Sequence, residues 1–250
     1  MRVSELSVES GVAIATIKYY LREGLLHQGR QLAATRADYD DSHLRRLRLI
    51  RALLEVGRLP VAAIKQVIEA VDDESLSVHR MLGTAQYALG PTIEPEPGAE
   101  WDAARGQVDL LIEELGWDVA ATAPARDELT HTVVRLSQLG LSSDLTVYAQ
   151  TAQRLVAEVE MDTVPFDGPR EAAVEALVLG TVLYGRAFDA LRRLAHESES
   201  ARRVGGVRES PSGRDDLPED LSVPEDLSVP EDLSVPEDLS GRVDGSDQPG

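Results

Sequence analysis

The chain has no cysteine, and aromatic residues make up only 4% of its 250 positions. Without thiols there can be no disulfide framework, no thiolate metal site, no iron–sulfur cluster and no cysteine nucleophile. Glycine and proline, 19 and 13 residues, are too few for a collagen-like or fibrous chain. No apolar run approaches the ~18–20 residues that a membrane-crossing helix needs. Met1-Arg2-Val3-Ser4-Glu5 places an acid where a secretory signal requires an apolar core, so the cytoplasm is the expected compartment. Basic residues are also scarce: 25 Lys and Arg stand against 44 Asp and Glu, a formal net charge of -19.

That deficit is uneven. Residues 1–71 carry a net charge of +3, residues 72–203 a net of -12, and residues 204–250 a net of -10. Charges further apart than roughly 8–10 Å are largely screened at physiological salt. A basic N-terminal segment on an acidic body can therefore still approach a polyanion.

Composition divides the chain at 71, 99 and 203. Residues 74–89 show a helical pattern that stops at Gly90-Pro91, and a Pro-rich linker follows to residue 99. Residues 100–203 are expected to form an all-α domain. Val108, Leu111, Ile112 and Leu115 are spaced as one helix face ending at Gly116. Leu129, Val133, Leu136 and Leu139 repeat the pattern up to Gly140. Leu145, Tyr148, Ala152, Leu155, Val156 and Val159 form a third stripe, with Ser143 as the expected N-cap and Asp144 in the first turn. A fourth helix opens near Pro169 and carries one charge, Glu175, between Ala172 and Tyr184, which predicts a central position. The aromatic residues Trp101, Trp117, Tyr148, Phe166, Tyr184 and Phe188 are read as core, or else as the lining of an effector pocket.

In the tail, Pro218-Glu219-Asp220-Leu221-Ser222-Val223 recurs from Pro224 and Pro230, and from Pro236 as far as Ser240, with a period of six. A proline every sixth residue forbids a regular helix. Two acids per unit and few aliphatics leave too little apolar surface to offset ordering, so residues 204–250 are expected to be disordered.

The N-terminal segment carries the functional signal. Ser4 to Glu9 reads as a short helix with Val3, Leu6 and Val8 as its apolar positions. Gly11 marks a tight turn. Ala13 to Leu21 reads as a second helix with Ile14, Ile17 and Leu21 on one face. Two short helices around a glycine turn form a helix-turn-helix pattern. Glu23-Gly24-Leu25-Leu26 ends the second helix, and a polar loop from His27 to Asp38 holds Arg30 and Arg36 as a candidate wing. Asp40 or Asp41 caps a third helix reaching Val56, and Pro60 opens a fourth with Val61, Ile64, Val67, Ile68 and Val71 apolar.

Residues 3–71 resemble the MerR family of bacterial transcription regulators. Gly11-Val12, Thr16-Ile17-Lys18-Tyr19-Tyr20 and Glu23-Gly24-Leu25-Leu26 look like that family's recognition helix and the start of its wing. Leu44 to Arg51 and Val61-Ala62-Ala63-Ile64 look like the helix pair behind it. Lys18 stands where the family commonly has arginine, which keeps the charge without the bidentate geometry. Ala34-Thr35-Arg36-Ala37-Asp38-Tyr39 departs from the family's usual wing sequence. The short helix at 74–89 stands where the family has a long dimerisation helix, so the downstream helices are candidates for that role.

The resemblance implies an all-α architecture with an N-terminal winged helix-turn-helix, and double-stranded promoter DNA as ligand. It further implies a homodimer, with RNA polymerase nearby at the promoter. Thr16, Lys18 and Tyr19 on the second helix, with Arg30 and Arg36 in the wing, are the expected DNA contacts. Of the adjacent tyrosines, Tyr19 is assigned to phosphate and Tyr20 to the core. Arg45, Arg46 and Arg48 are read as a solvated face or as intradomain ion pairs. No catalytic role is assigned. His27, His43, His79, His131 and His196 lack metal-motif spacing, and there is neither a phosphate-binding loop nor a nucleophile elbow. No cofactor or metal is expected. The C-terminal helices are read as sensing an effector or holding the dimer; the alternative is a DNA-bound interaction module without a small-molecule effector.

Overall fold

The computed structural model describes residues 1–33, 36–96 and 98–204, apart from the side chains of Ala33 and Arg36. The acidic repeats lie outside these residues. The chain divides into two units after His196. In the second, residues 197–204 are helical, and Glu199 accepts from Arg202 Nε at 2.9 Å and Arg203 Nε at 2.7 Å.

The first unit opens with α1 (Val3–Ser10) and α2 (Ile14–Glu23). Gly11 joins them at φ +70°, a left-handed conformation that favours glycine. The Ser7 hydroxyl donates to the Val12 carbonyl at 2.6 Å and fixes the turn. Leu6, Val12, Ile17 and Tyr20 point into the core. Val8 does not: it is 83% exposed, because it lies off the face that carries Leu6.

The segment expected to be a polar loop contains a short antiparallel hairpin, β1 (Arg30–Ala33) and β2 (Arg36–Asp38). Its residues are mostly polar, and Leu32 is 49% exposed, so no buried alternation could announce the strands. Then come α3 (Asp41–Arg51), α4 (Val61–Asp72) and α5 (Val78–Leu89). Asp40 caps α3 by accepting from the Ser42 amide at 3.0 Å. A π turn, Ala52–Val56, extends α3, with the Gly57 amide reaching back to the Ala52 carbonyl at 2.9 Å. Ser77 caps α5, which makes it shorter than the pattern from 74 suggests.

Leu6, Ile17, Leu47, Ile50, Leu53, Ile64, Val67 and Met81 are buried in one core. Val174, Leu177 and Val178 of α9 (Arg170–Val204) belong to the same core. Burial of a side chain of this size contributes about 1.5–3 kcal/mol. Two arginines fasten α9 to this layer. Arg170 donates to the carbonyls of Ala70, Val71, Asp73 and Leu76, satisfying the C-terminal end of α4. Arg46 of α3, 4% exposed, pairs with Asp72 and lies 3.5 Å from Glu171.

The C-terminal region is helical, as expected, and its helices divide between two cores. α6 (Ala99–Glu114) and α7 (Pro124–Gln138) pack on each other through Trp101, Ala104, Val108, Ile112, Val133 and Val134. Arg105 pairs with Asp127, and Arg126 donates to Asp109 at 2.8 Å. Gly116 and Gly140 stop these helices at φ +64° and +68°. α8 (Thr146–Leu155) starts later than expected: Leu145 is its N-cap, and Asp144 accepts from the Thr146 amide and hydroxyl. Only Ala149 of α8 is buried.

The aromatic residues do not share one environment. Trp101 is buried and Trp117 half-buried, whereas Tyr148, Phe166, Tyr184 and Phe188 are exposed. Neither core nor pocket describes those last four. No described helix is long and apolar enough to cross a membrane.

Candidate nucleic-acid interface

α2 has two chemically distinct faces. Ile17 and Tyr20 are buried; Ala13, just before the helix, and Ile14, Ala15, Lys18 and Arg22 are exposed. The helix is held from behind at several points. Gly24, at φ +75°, closes its C-terminus, and the Leu25 amide bonds the Tyr20 carbonyl at 2.9 Å. Lys65 of α4 donates to Glu23 at 3.0 Å. Arg51 of α3 grips Glu55 at 2.8 and 3.1 Å and reaches the Ser10 carbonyl at 3.5 Å. Burial pushes the Tyr20 phenol above its ordinary pKa, with Glu55 adding to the effect.

Of the expected contacts, Lys18 is exposed on the outer face of α2, while Thr16 and Tyr19 beside it are half-buried. The Arg22 guanidinium carbon sits 5.5 Å from the Tyr19 ring centroid, so cation and phenol form one amphipathic unit. Arg22 was not among the expected contacts; the i, i+4 relation to Lys18 was the available signal. Arg30 is 78% exposed at the start of β1 and donates to Asp38 at 3.3 Å. An exposed pair of this kind contributes at most about 1 kcal/mol. The Asp38 carboxyl is held below its ordinary range, first by the Met1 amino group at 2.8 Å and then by Arg30. Arg36 pairs in register with Ala33, and its side chain lies outside the described residues.

The arginines of α3 differ among themselves. Arg46 is a buried ion-pair residue, Arg45 is half-buried, and Arg48 and Arg51 are exposed. The exposed cations of α2 and the wing are thus Lys18, Arg22 and Arg30 among the described side chains.

The base of the wing holds a cluster that sequence spacing did not reveal. The His27 and His43 rings lie 3.9 Å apart, centroid to centroid. His27 Nε2 and Ser42 Oγ are 2.9 Å apart. Ser42 Oγ donates to Asp40 Oδ1 at 2.5 Å, and Asp40 Oδ1 lies 3.0 Å from His43 Nδ1. Hydrogen bonds from Ser42 and then His43 hold the Asp40 carboxyl far below its usual range. Burial, followed by the neighbouring His43 and Arg46, lowers the His27 imidazole. Hairpin closure, not a motif, brings residues 27 and 43 together.

In α6 and α7, a cleft of about 440 Å³ opens beside the loop leading to α8. Val108, Leu111, Leu129 and Val133 give it an apolar floor, and Glu114 and Asp144 stand on its polar side. None of the aromatic residues lines it.

Comparisons with known proteins converge on the same reading. The family model "MerR HTH family regulatory protein" matches residues 1–71. The HTH-type transcriptional regulator MerD of Acinetobacter calcoaceticus is 35% identical over 80 residues, which are 30% of this chain and 64% of MerD. The chain thus spans a little under two thirds of that relative. A crystal structure of the transcriptional-regulator candidate SCO5550 from Streptomyces coelicolor A3(2) is 40% identical, with a TM-score of 0.65, covering 82% of this chain and 98% of that one. With its glycine-turn helix pair, its wing and these likenesses, the chain belongs to the MerR family of DNA-binding helix-turn-helix transcription regulators.

Proposed function

We propose that the protein binds promoter DNA as a homodimer, with one α2 in the major groove of each half-site and each wing against the adjacent backbone. The observation that carries this reading is the outward face of α2: Lys18 and Arg22 stand opposite the buried Ile17 and Tyr20. Lys18, Arg22 and Arg30 supply positive charge for phosphates, and Thr16 and the Tyr19 hydroxyl supply hydrogen bonds. Arg36 is assigned to the same surface from its place in the wing sequence.

In this reading residues 1–71 read DNA, residues 72–99 connect, residues 100–203 hold the dimer or sense an effector, and residues 204–250 are an acidic tail. The dimer draws support from α9, where Tyr184, Phe188 and Leu191 are spaced i, i+4, i+7 and exposed. The cleft between α6 and α7 is the effector candidate, and its volume falls in the range of small-molecule sites. The same exposed stripe favours the second reading, a protein-interaction module with no small-molecule effector. The protein acts in the cytoplasm, beside RNA polymerase, and has no catalytic activity of its own.

The deciding experiment is a gel shift on the protein's own promoter region at physiological salt with excess non-specific DNA. A discrete complex that resists competitor is expected. Loss of the complex to competitor, or no complex at all, overturns the reading. Sedimentation equilibrium tests the dimer separately.

A further inference from the structure

The geometry points to a divalent transition-metal site at the base of the wing, formed by His27, Asp40 and His43. None of the three ligands is among the residues assigned to DNA. Each of the three residues offers one ligand atom, and these atoms lie within 4.8 Å of one another. The donor set is two imidazole nitrogens and one carboxylate oxygen. That set suits the later first-row dications, Zn²⁺, Co²⁺ and Ni²⁺, better than Mg²⁺ or Ca²⁺, which take all-oxygen shells.

The spacing is close to what an ion needs. Ligand bonds of about 2.0–2.2 Å in a tetrahedron place neighbouring donors roughly 3.3 Å apart. Asp40 Oδ1 and His43 Nδ1 are already 3.0 Å apart. His27 is the donor that must move, and His43 Nδ1, which accepts from the Asp40 amide at 3.1 Å, must give up that contact to bind an ion. It is exposed, and its partner is the Ser42 hydroxyl, which bridges it to Asp40. An ion taking over the bridging position of that hydroxyl would draw in His27 by a side-chain rotation. His43, by contrast, is only 4% exposed, and packing fixes its ring between His27 and Tyr39, whose centroids are 3.9 and 5.0 Å away. The site therefore has one rigid donor, one capping carboxylate and one adjustable arm.

The positive charge beside the site is already paired with acids. Arg46 is the positive group near His27, and Asp72 and Glu171 already pair with it. Asp40 adds a further negative charge. The three ligands span the two ends of the wing, since His27 follows α2 and Asp40 and His43 open α3. A bound ion would clamp residues 28–39 as a loop closed at its base, which restricts the unfolded chain and stiffens the hairpin.

The test uses the full chain freed of metal and titrated with Zn²⁺, and separately with Co²⁺, whose visible bands report coordination. The expected result is one ion per chain, nitrogen-ligand Co²⁺ bands, and a melting temperature that rises with Zn²⁺. His27→Gln should weaken binding at least tenfold while the metal-free protein still unfolds in one cooperative transition. Asp40→Asn provides the second variant. Asparagine preserves the helix cap and removes the ligand charge, so folding should survive while affinity falls. The proposal is overturned if millimolar Zn²⁺ binds nowhere on the wild-type chain. It is equally overturned if both variants bind as tightly as wild type, which would place the ion on other histidines or surface carboxylates.

Discussion

Arg170 Nε donates to the carbonyl oxygen of Val71 at 2.8 Å, across 99 positions of sequence. The same guanidinium serves Ala70, Asp73 and Leu76, so one side chain terminates α4 and anchors the start of α9. Arg170→Ala removes four acceptor contacts and leaves carbonyls at a helix end without partners. The expected loss is about 2–3 kcal/mol, measured by urea denaturation. Arg170→Lys should recover only part of it, because an ammonium cannot span the same fork of carbonyls. A loss below about 0.5 kcal/mol for the alanine variant would mean that water replaces the guanidinium freely.

Lys18→Ala should reduce promoter affinity about five- to thirtyfold and lower the salt dependence by about one counterion. Its melting temperature should match wild type, since the side chain is exposed and no described hydrogen bond or ion pair involves it. A variant that binds as wild type at matched salt removes Lys18 from the interface.

Gly29 sits where a side chain cannot. A Cβ there would approach the Asp38 carbonyl to 2.8 Å and the Tyr39 ring to 3.0 Å. Gly29→Ala must displace β1 from β2 at the mouth of the hairpin. The expected cost is about 1–3 kcal/mol, with a parallel loss of DNA affinity. Retention of both would show that the wing base is more pliable than its contacts suggest.

Glu175 is half-buried on α9 beside a small recess lined by Arg48, Arg51, Glu55 and Leu179. Burial raises its pKa, and Arg48 opposes the shift only in part. The folded state therefore holds this proton more tightly than the unfolded chain does. The contribution to stability is complete below the unfolded carboxyl pKa and is lost as pH rises through the folded value. Glu175→Gln should consequently melt about 1–3 °C higher than wild type at pH 7. The gap should close below about pH 4, where wild-type Glu175 is protonated in both states. A gap that persists in acid would point to packing instead of ionisation.

Much of the DNA-binding segment was legible because its signals are local. Gly11, Gly24 and Pro60 mark helix ends through backbone chemistry, and Leu47, Ile50, Ile64 and Val67 repeat at helix spacing. The wing strands were not legible, since a two-stranded exposed ribbon buries neither face and so leaves no alternation. The role of Arg46 was hidden for a different reason. Among four arginines on one short helix, only the position of Asp72 and Glu171, 26 and 125 residues away, distinguishes the buried one. The stripes of α8 and the later part of α9 match the helical period, yet most of their apolar residues face outward. Periodicity reveals that a helix has an apolar side, not whether anything in the same chain covers it. The wing-base histidines are 16 residues apart and meet through the hairpin, a relation that no fixed spacing encodes.

The shared core of α3, α4 and α9 also sets an order in time. Val174, Leu177 and Val178 emerge from the ribosome about 100 residues after Val71. At roughly 5–20 residues per second, that delay is on the order of 5–20 s. During synthesis α3 and α4 must wait with part of their apolar surface uncovered. A ribosome stalled before residue 170 would display α3 and α4 without the helix that completes their core.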